Sequence, residues 1–234
     1  MIALSQVEVG DPAELKIPQD LAAAVSDACA LVSHNLNGQK LGRKGKITRE
    51  RILAATIQIL DGPDDEPLTM SAVAQTASLG MTSLYNYFTD FTELLLAVLD
   101  PVLATAEDAY LSLLRERWPD EELGQKCHDF VLAFHRFWAR HSRLLHIRNR
   151  IADQLDPRMV LQRVQSTMPV IDLLWLQMQT HQCDAQAART MATMVMTGIE
   201  RSVTVATDRR MREIIGLQTE MDDLRFVPPA ARLL

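Results

Sequence analysis

The 234-residue chain reads as an all-α protein. Three observations predict that class. Apolar residues recur at three- and four-residue spacing along most of the chain, the repeat of a helix with one buried face. No run of alternating β-branched and aromatic residues is bounded by hairpin turns, and aromatics make up only 5% of the chain. The periodic stretches are bracketed by capping residues and by Gly or Pro stops. An apolar fraction of 47% with 23% charged residues is too hydrophobic for a disordered chain. The longest clean apolar runs, such as 94–99, fall far short of the ~20 residues a membrane span needs. Membrane-spanning functions are thereby set aside.

Taken in order, the first predicted helix covers 20–37, with Leu21, Val25, Ala28, Cys29, Val32 and Leu36 on one face, Asp20 as its cap and Asn37-Gly38 as its stop. Thr48 is expected to cap a second helix with the stripe Ile52, Leu53, Ala55, Ile57, Ile59 and Leu60, ended by Gly62-Pro63. After the acidic loop 61–67, Thr69 opens a short helix through Val73, Ala74 and Ala77. A break at 78–80 and another short helix from Met81 to Tyr87 complete the layout of a helix-turn-helix. Asp90-Phe91-Thr92-Glu93 is a capping-box variant that starts a long helix through Leu94, Leu95, Val98, Val102 and Ala106, which Pro101 should kink or divide.

Further on, Asp120 is expected to cap a helix through Phe130, Phe134, Phe137 and Trp138, and Ser142 to open one through Leu145, Ile151 and Leu155, ended by Asp156-Pro157. Next come a long helix with Val160, Val164, Met168, Ile171, Trp175 and Met178, interrupted at Pro169, and a last clear helix from Asp184 through Ala188, Met191, Val195, Ile199 and Val203. The tail with Pro228-Pro229 reads as loosely ordered.

Charge is unevenly distributed. The chain as a whole carries −6, which argues against coating nucleic acid by bulk charge. Yet Lys40, Arg43, Lys44, Lys46, Arg49 and Arg51 face a single acid, Glu50, giving a local balance of +5. From 52 to 114 there is no Lys or Arg, against nine acids. Lys40, Arg43, Lys44 and Lys46 are expected to form an extended cationic arm ahead of the second helix, able to track a phosphate backbone or enter a minor groove.

Four motifs then occur in order: Thr48-Arg49-Glu50-Arg51-Ile52-Leu53-Ala54-Ala55, Leu68-Thr69-Met70-Ser71-Ala72-Val73-Ala74-Gln75-Thr76-Ala77, Ser83-Leu84-Tyr85-Asn86-Tyr87-Phe88 and Glu93-Leu94-Leu95. Together they resemble the DNA-binding domain of the tetracycline-repressor (TetR) family over residues 46 to 98. The resemblance implies a DNA-binding domain at 40–98 behind a 1–39 extension, then a helical ligand-binding and dimerisation domain at 99–234. Two positions depart from the family pattern. The turn has Ser78 and Gly80 in altered order, and Phe91 stands where a phosphate-reaching Lys is usual.

A recognition helix enters the ~12 Å major groove by its N-terminal end and needs small or polar groups there. Met81, Thr82, Ser83, Asn86 and Tyr87 fit that need, while Leu84 and Phe88 should face inward. The resemblance assigns Tyr85 to the DNA backbone, with Asn86 and Tyr87 as further contacts. Thr48, Arg49 and Thr69 complete the candidate DNA-contacting set.

In the same family the last two helices pair with those of a second subunit. That implies a homodimer interface at Val160, Val164, Ile171, Ala188, Met191, Val195 and Ile199, although the same stripes also serve as monomer core. A partly apolar effector pocket is expected among Phe130, Phe134, Phe137, Trp138, Trp175 and Met178, with His135, Arg148 and Asn149 as orienting polar groups. Stripes of this kind are more often plain core than pocket.

No catalytic motif, phosphate loop, dinucleotide fingerprint or metal-ligand spacing is present, so no enzyme activity, cofactor or metal is expected. Cys29, Cys127 and Cys183 are odd in number and scattered, and the first residues lack a basic start followed by an apolar stretch. Both features fit a cytoplasmic protein. The expectation is a ligand-responsive repressor on palindromic operator DNA, and the competing one is an all-helical protein-interaction module. The 20–37 helix is expected either to dock on its own subunit or to serve pairing or arm placement.

Overall fold

The computed structural model describes residues 18–32, 34–36, 38–62, 67–178, 184–216 and 224–234. The described residues are overwhelmingly helical, and β-structure among them is confined to one antiparallel bridge between His34 and Lys40. The chain divides into two compact units at Ala104/Thr105.

The first unit is built on five helices: α1 (Gln19–Leu31), α2 (Arg43–Asp61), α3 (Met70–Thr76), α4 (Met81–Tyr85) and α5 (Phe91–Ala104). α1 packs on α2 and α5, burying Leu21, Val25 and Cys29. It is thus docked within its own unit. The helix begins after Pro18 rather than at Asp20 and ends at Leu31, because Val32 is already extended. Val32 is half-buried and Leu36 exposed, so neither belongs to the buried stripe. Asn37, Cys183 and most of the acidic loop (63–66) lie outside the described residues.

α2 corrects the expected arm. It starts at Arg43, with Gly42 as cap, so Arg43, Lys44 and Lys46 are helical and only Lys40 precedes the helix. Arg and Lys are good helix formers, and nothing in 43–47 breaks the helix. Gly45 is tolerated there because Leu41 lies close: a Cβ at 45 would sit 2.7 Å from Leu41 Cδ2. Thr48 is mid-helix instead of capping, its hydroxyl donating to the Lys44 carbonyl at 2.9 Å. The rest of α2 buries Ile52, Leu53, Ala54, Ala55, Thr56, Ile57 and Ile59.

Thr69 does cap α3, its Oγ1 accepting from Ala72 N at 3.1 Å. Asp90 Oδ1 accepts from Glu93 N at 2.8 Å, while Glu93 Oε2 accepts from both the amide and the hydroxyl of Thr89 at 2.6 Å. Two otherwise orphan amides at the start of α5 are thereby satisfied. Pro101 sits buried inside α5 without dividing it.

The second unit opens with a π-helical turn (Glu107–Leu111) and a 3₁₀ turn (Ser112–Leu114), followed by another 3₁₀ turn (Asp120–Glu122). Then come α6 (Leu123–Arg140), α7 (Ser142–Asp153), α8 (Pro157–Met178), α9 (Ala185–Thr207) and α10 (Arg209–Ile215). A last 3₁₀ turn (Leu224–Phe226) leads into α11 (Val227–Leu233). Asp120 therefore belongs to a separate turn and does not cap α6. α7 stops before Leu155, which is 79% exposed with φ 65° and lies outside the expected stripe. α8 runs unbroken through Pro169, which is exposed at the helix surface.

The Pro228-Pro229 tail is helical as well. Prolines at the first positions of a helix lack only amides that would be orphans anyway, and α11 packs on α6 with Val227 and Ala230 buried. α8 packs between α7 and α9, and Gln177 ties its end to the 114–118 segment ahead of α6. The Gln177 amide donates to the carbonyls of Leu114 (2.9 Å) and Glu116 (2.7 Å) and its oxygen accepts from Trp118 N (3.0 Å).

Along α9, Asp184 caps the start and the hydroxyls of Thr190, Thr193, Thr197 and Ser202 each donate to the carbonyl four residues back at 2.8–2.9 Å.

Candidate functional site

The first unit positions the DNA-reading candidates. Leu84 is 0% and Phe88 1% exposed, so α4 is anchored by these two apolar side chains. Val73, Ala74 and Ala77 of the preceding helix and turn are buried as well. The turn between α3 and α4 needs a left-handed residue, and Ser78 supplies it at φ 52°. α4 presents Met81, Thr82 and Tyr85 outward, with Tyr85 47% exposed, while Ser83, Asn86 and Tyr87 are half-buried. The helix itself ends at Tyr85, leaving Asn86 at its C-cap and Tyr87 beyond it.

The basic residues separate into two groups. Lys40, Arg43 and Lys44 are exposed. Lys46 and Arg49 are half-buried and engaged within the unit: Lys46 Nζ donates to the Ala30 carbonyl at 2.8 Å, and Arg49 donates to Cys29 Sγ at 3.4 Å with its guanidinium 5.0 Å from the Phe88 ring centroid. Arg51 is only 5% exposed. Outward charge is thus concentrated on Lys40, Arg43 and Lys44.

The segment that carries Lys40 lies against the end of α4. Leu36 N donates to the Asn86 carbonyl at 3.2 Å, and the His34–Lys40 bridge is supported by Asn35, whose amide and side chain both engage Gln39. This juxtaposition was not foreseen from spacing, since a bridge between two short loop segments has no periodic signature. Thr69, the remaining candidate, is exposed and holds its cap.

In the second unit the expected pocket residues divide. Phe130, Phe134, Phe137 and Trp138 are buried with Tyr110 and Trp118 in one aromatic cluster, the Tyr110 ring meeting Phe134 and Phe137 edge-on at centroid distances of 5.1 and 5.2 Å. Burial pushes the Tyr110 hydroxyl up to about 12. Trp175 and Met178 stand apart, near the end of α8, where the Trp175 indole donates to the Ala185 carbonyl and lies under Arg189.

Arg148 is buried and bound on all sides. It donates to Asn149 Oδ1 (3.0 and 3.1 Å), Ser166 Oγ (3.2 Å) and Glu200 Oε1 (3.3 Å), with its guanidinium 5.5 Å from the Trp138 ring. Desolvation lowers its pKa and the Glu200 carboxylate opposes that shift. These contacts join α7, α8 and α9.

A cleft of about 420 Å³ opens elsewhere in this unit, and His135 alone of the expected pocket residues lines it. His128 is half-buried beside Asp129, whereas His135 is buried. No group of three or more potential metal ligands occurs among the described residues.

The expected pairing residues divide too. Ile171, Ala188 and Ile199 are buried in the chain's own core, because α8 and α9 pack on one another there. Val160 and Val195 are half-buried. Val164 (49%) and Met191 (55%) are exposed, joined by Leu161, Leu176 and Met194, which periodicity alone did not single out.

No protein-family model matches the chain, and no curated protein matches it. No helix among the described residues is long and apolar enough to cross a membrane.

Proposed function

We propose that the chain is a DNA-binding transcriptional regulator of the tetracycline-repressor type. It acts in the cytoplasm as a homodimeric repressor, released from a palindromic operator by a small-molecule effector. What supports the reading most is α4: its outward Met81, Thr82 and Tyr85 stand on a Leu84/Phe88 anchor, with the Lys40 segment hydrogen-bonded to its end. α4 would enter a major groove, and the exposed Lys40, Arg43 and Lys44 would neutralise nearby phosphates. The exposed Val164, Met191 and Met194 provide an apolar surface on which a second subunit would pack, as paired half-sites require.

The test is fluorescence anisotropy with a palindromic fragment from upstream of the gene. If all three exposed cations of each subunit neutralise phosphates, log affinity against log salt should have a slope of about −5. Replacing Lys40, Arg43 and Lys44 by Gln should flatten most of that slope, and Tyr85→Ala should weaken binding at every salt concentration. Absence of DNA binding even in low salt would favour the protein-interaction module instead. A salt slope indifferent to the triple substitution would remove the basic group from the mechanism.

A further inference from the structure

Three polar contacts fasten α1 to one stretch of α2. Lys46 Nζ donates to the Ala30 carbonyl at 2.8 Å, Ser26 Oγ to Glu50 Oε1 at 3.3 Å and Arg49 Nη1 to Cys29 Sγ at 3.4 Å. The first satisfies a carbonyl in the last turn of α1, which has no basic residue of its own there. Two cations that the sequence would offer to phosphate thus face the extension instead.

From there the extension reaches α4 by two routes. The Arg49 guanidinium that meets Cys29 also lies 5.0 Å from the ring centroid of Phe88, one of the two side chains that anchor α4. Beyond α1, Leu36 N donates at 3.2 Å to the carbonyl of Asn86, the C-cap of α4. Leu36 is itself held in place. Asn35 N donates to the Gln39 carbonyl and Gln39 N to Asn35 Oδ1, both at 2.9 Å, and Leu41 is buried where a Cβ on residue 45 would collide with it.

α4 has little of its own to fix it. It is five residues long, its Gly80 cap makes no side-chain bond, and its first turn carries no acid. A helix that short is not stable alone and takes its position from what holds its buried face and its ends. The extension touches both, at Phe88 and at Asn86.

We propose that the N-terminal extension sets the pose of α4, with Arg49 and the Leu36 amide as positioning groups and not as DNA contacts. Arg49 then works through Phe88 rather than through a phosphate. Base edges are read by hydrogen-bond geometry, so a recognition helix free to shift at its supported end loses discrimination between sequences before it loses attraction to phosphate. That consequence rests on the DNA-binding reading of α4, whereas the hold on α4 does not.

The variants are Arg49→Met, which keeps the bulk and drops the charge, and Leu36→Pro, which drops the amide, with Leu36→Ala as the control that keeps it. Hydrogen exchange of the full chain without DNA follows the amides of Leu84, Asn86, Tyr87 and Phe88, which donate to the carbonyls of Gly80, Ser83 and Leu84. These should exchange about tenfold faster in Arg49→Met and Leu36→Pro, while the 52–59 half of α2 and the whole Leu36→Ala chain stay as wild type. Unchanged α4 exchange in both variants would overturn the proposal, and so would an equal loss across α2, which marks general destabilisation. Fluorescence anisotropy over a range of salt, with the palindromic upstream fragment and a shuffled one of the same length, reads the consequence. Both variants should lose about tenfold on the palindrome and no more than about threefold on the shuffled fragment, with the wild-type salt slope. An Arg49 that touched phosphate would instead flatten the slope by about 2 per dimer and weaken both fragments alike, which would overturn its assignment. Faster α4 exchange in the variants of a chain whose wild type binds neither fragment would uphold the hold on α4 and refute the DNA-binding reading.

Discussion

Removing the carboxylate of Glu200 should destabilise the second unit out of proportion to its size. Arg148 has a side chain only 4% exposed, against 21% for Glu200, and the two are 3.3 Å apart. A fully buried pair that loses one partner typically costs about 3–5 kcal/mol, because the other charge is stranded. In Glu200→Ala the guanidinium would keep Asn149, Ser166 and the Trp138 face, and Glu200 is partly wet to begin with. The expected loss is therefore about 2–3 kcal/mol. For a protein of this size that is a Tm decrease of roughly 5–10 °C. The double variant Arg148→Met/Glu200→Leu, which removes both charges and keeps the volume, should lie within about 1 kcal/mol of wild type. Urea unfolding followed by tryptophan fluorescence reads the right unit, since Trp118, Trp138 and Trp175 all fall in residues 105–234. A loss below about 0.5 kcal/mol in Glu200→Ala, or a double variant no better than the single one, would refute the account of a desolvated charge held by its partner.

Three further outcomes are expected. Ser78→Gly relieves a non-glycine residue at φ 52° and should stabilise the first unit by about 0.5–1 kcal/mol, read by hydrogen exchange of α3 and α4. An unchanged or reduced protection there would contradict it. Met191→Glu with Met194→Glu places charge on residues 55% and 67% exposed, so folding should survive while sedimentation equilibrium shows a shift from dimer to monomer. An undisturbed dimer would place pairing elsewhere. Burial lowers the His146 pKa below its ordinary 6.5, so the unfolded chain takes up the proton first. Stability is then unaffected by this group above about pH 6.5 and falls as pH drops through and below that value. His146→Gln should flatten that fall in pH-dependent urea curves, and a fall of the same steepness in the variant would clear His146 of the effect.

How far the fold could be read in advance depended on whether a local signal had a tertiary rival. Thr69 and Asp90 were legible as caps because each has the right acceptor just ahead of a periodic stripe, and both caps form. Leu84 and Phe88 were legible for the same reason, their spacing having a single inward solution. Thr48 misled because a threonine ahead of a stripe looks the same whether it ends a loop or continues a helix. Docked α1 and the good helix formers Arg43, Lys44 and Lys46 decide for the helix. The prolines at 101 and 169 lie in helices that neighbouring packing holds together, so neither divides its helix as composition suggested. Least legible was the charged half of the candidate site. Lys46, Arg49 and Arg51 count toward the local +5 in the sequence, but the structure folds them against Ala30, Cys29 and Phe88 or buries them outright. The cleft residues sit near the ends of separate helices, where no spacing rule connects them.

The hydroxyls along α9 change what water sees of that helix. A threonine whose proton already goes to a carbonyl four residues back asks little of solvent, and its remaining outer surface is largely methyl. Thr190, Thr193 and Thr197 therefore sit among Met191 and Met194 as weakly hydrated neighbours. A hydropathy scale would score the stretch as mixed. In contact with another surface it would dry almost as readily as a row of alanines, because few of its hydrogen bonds to solvent have to be given up.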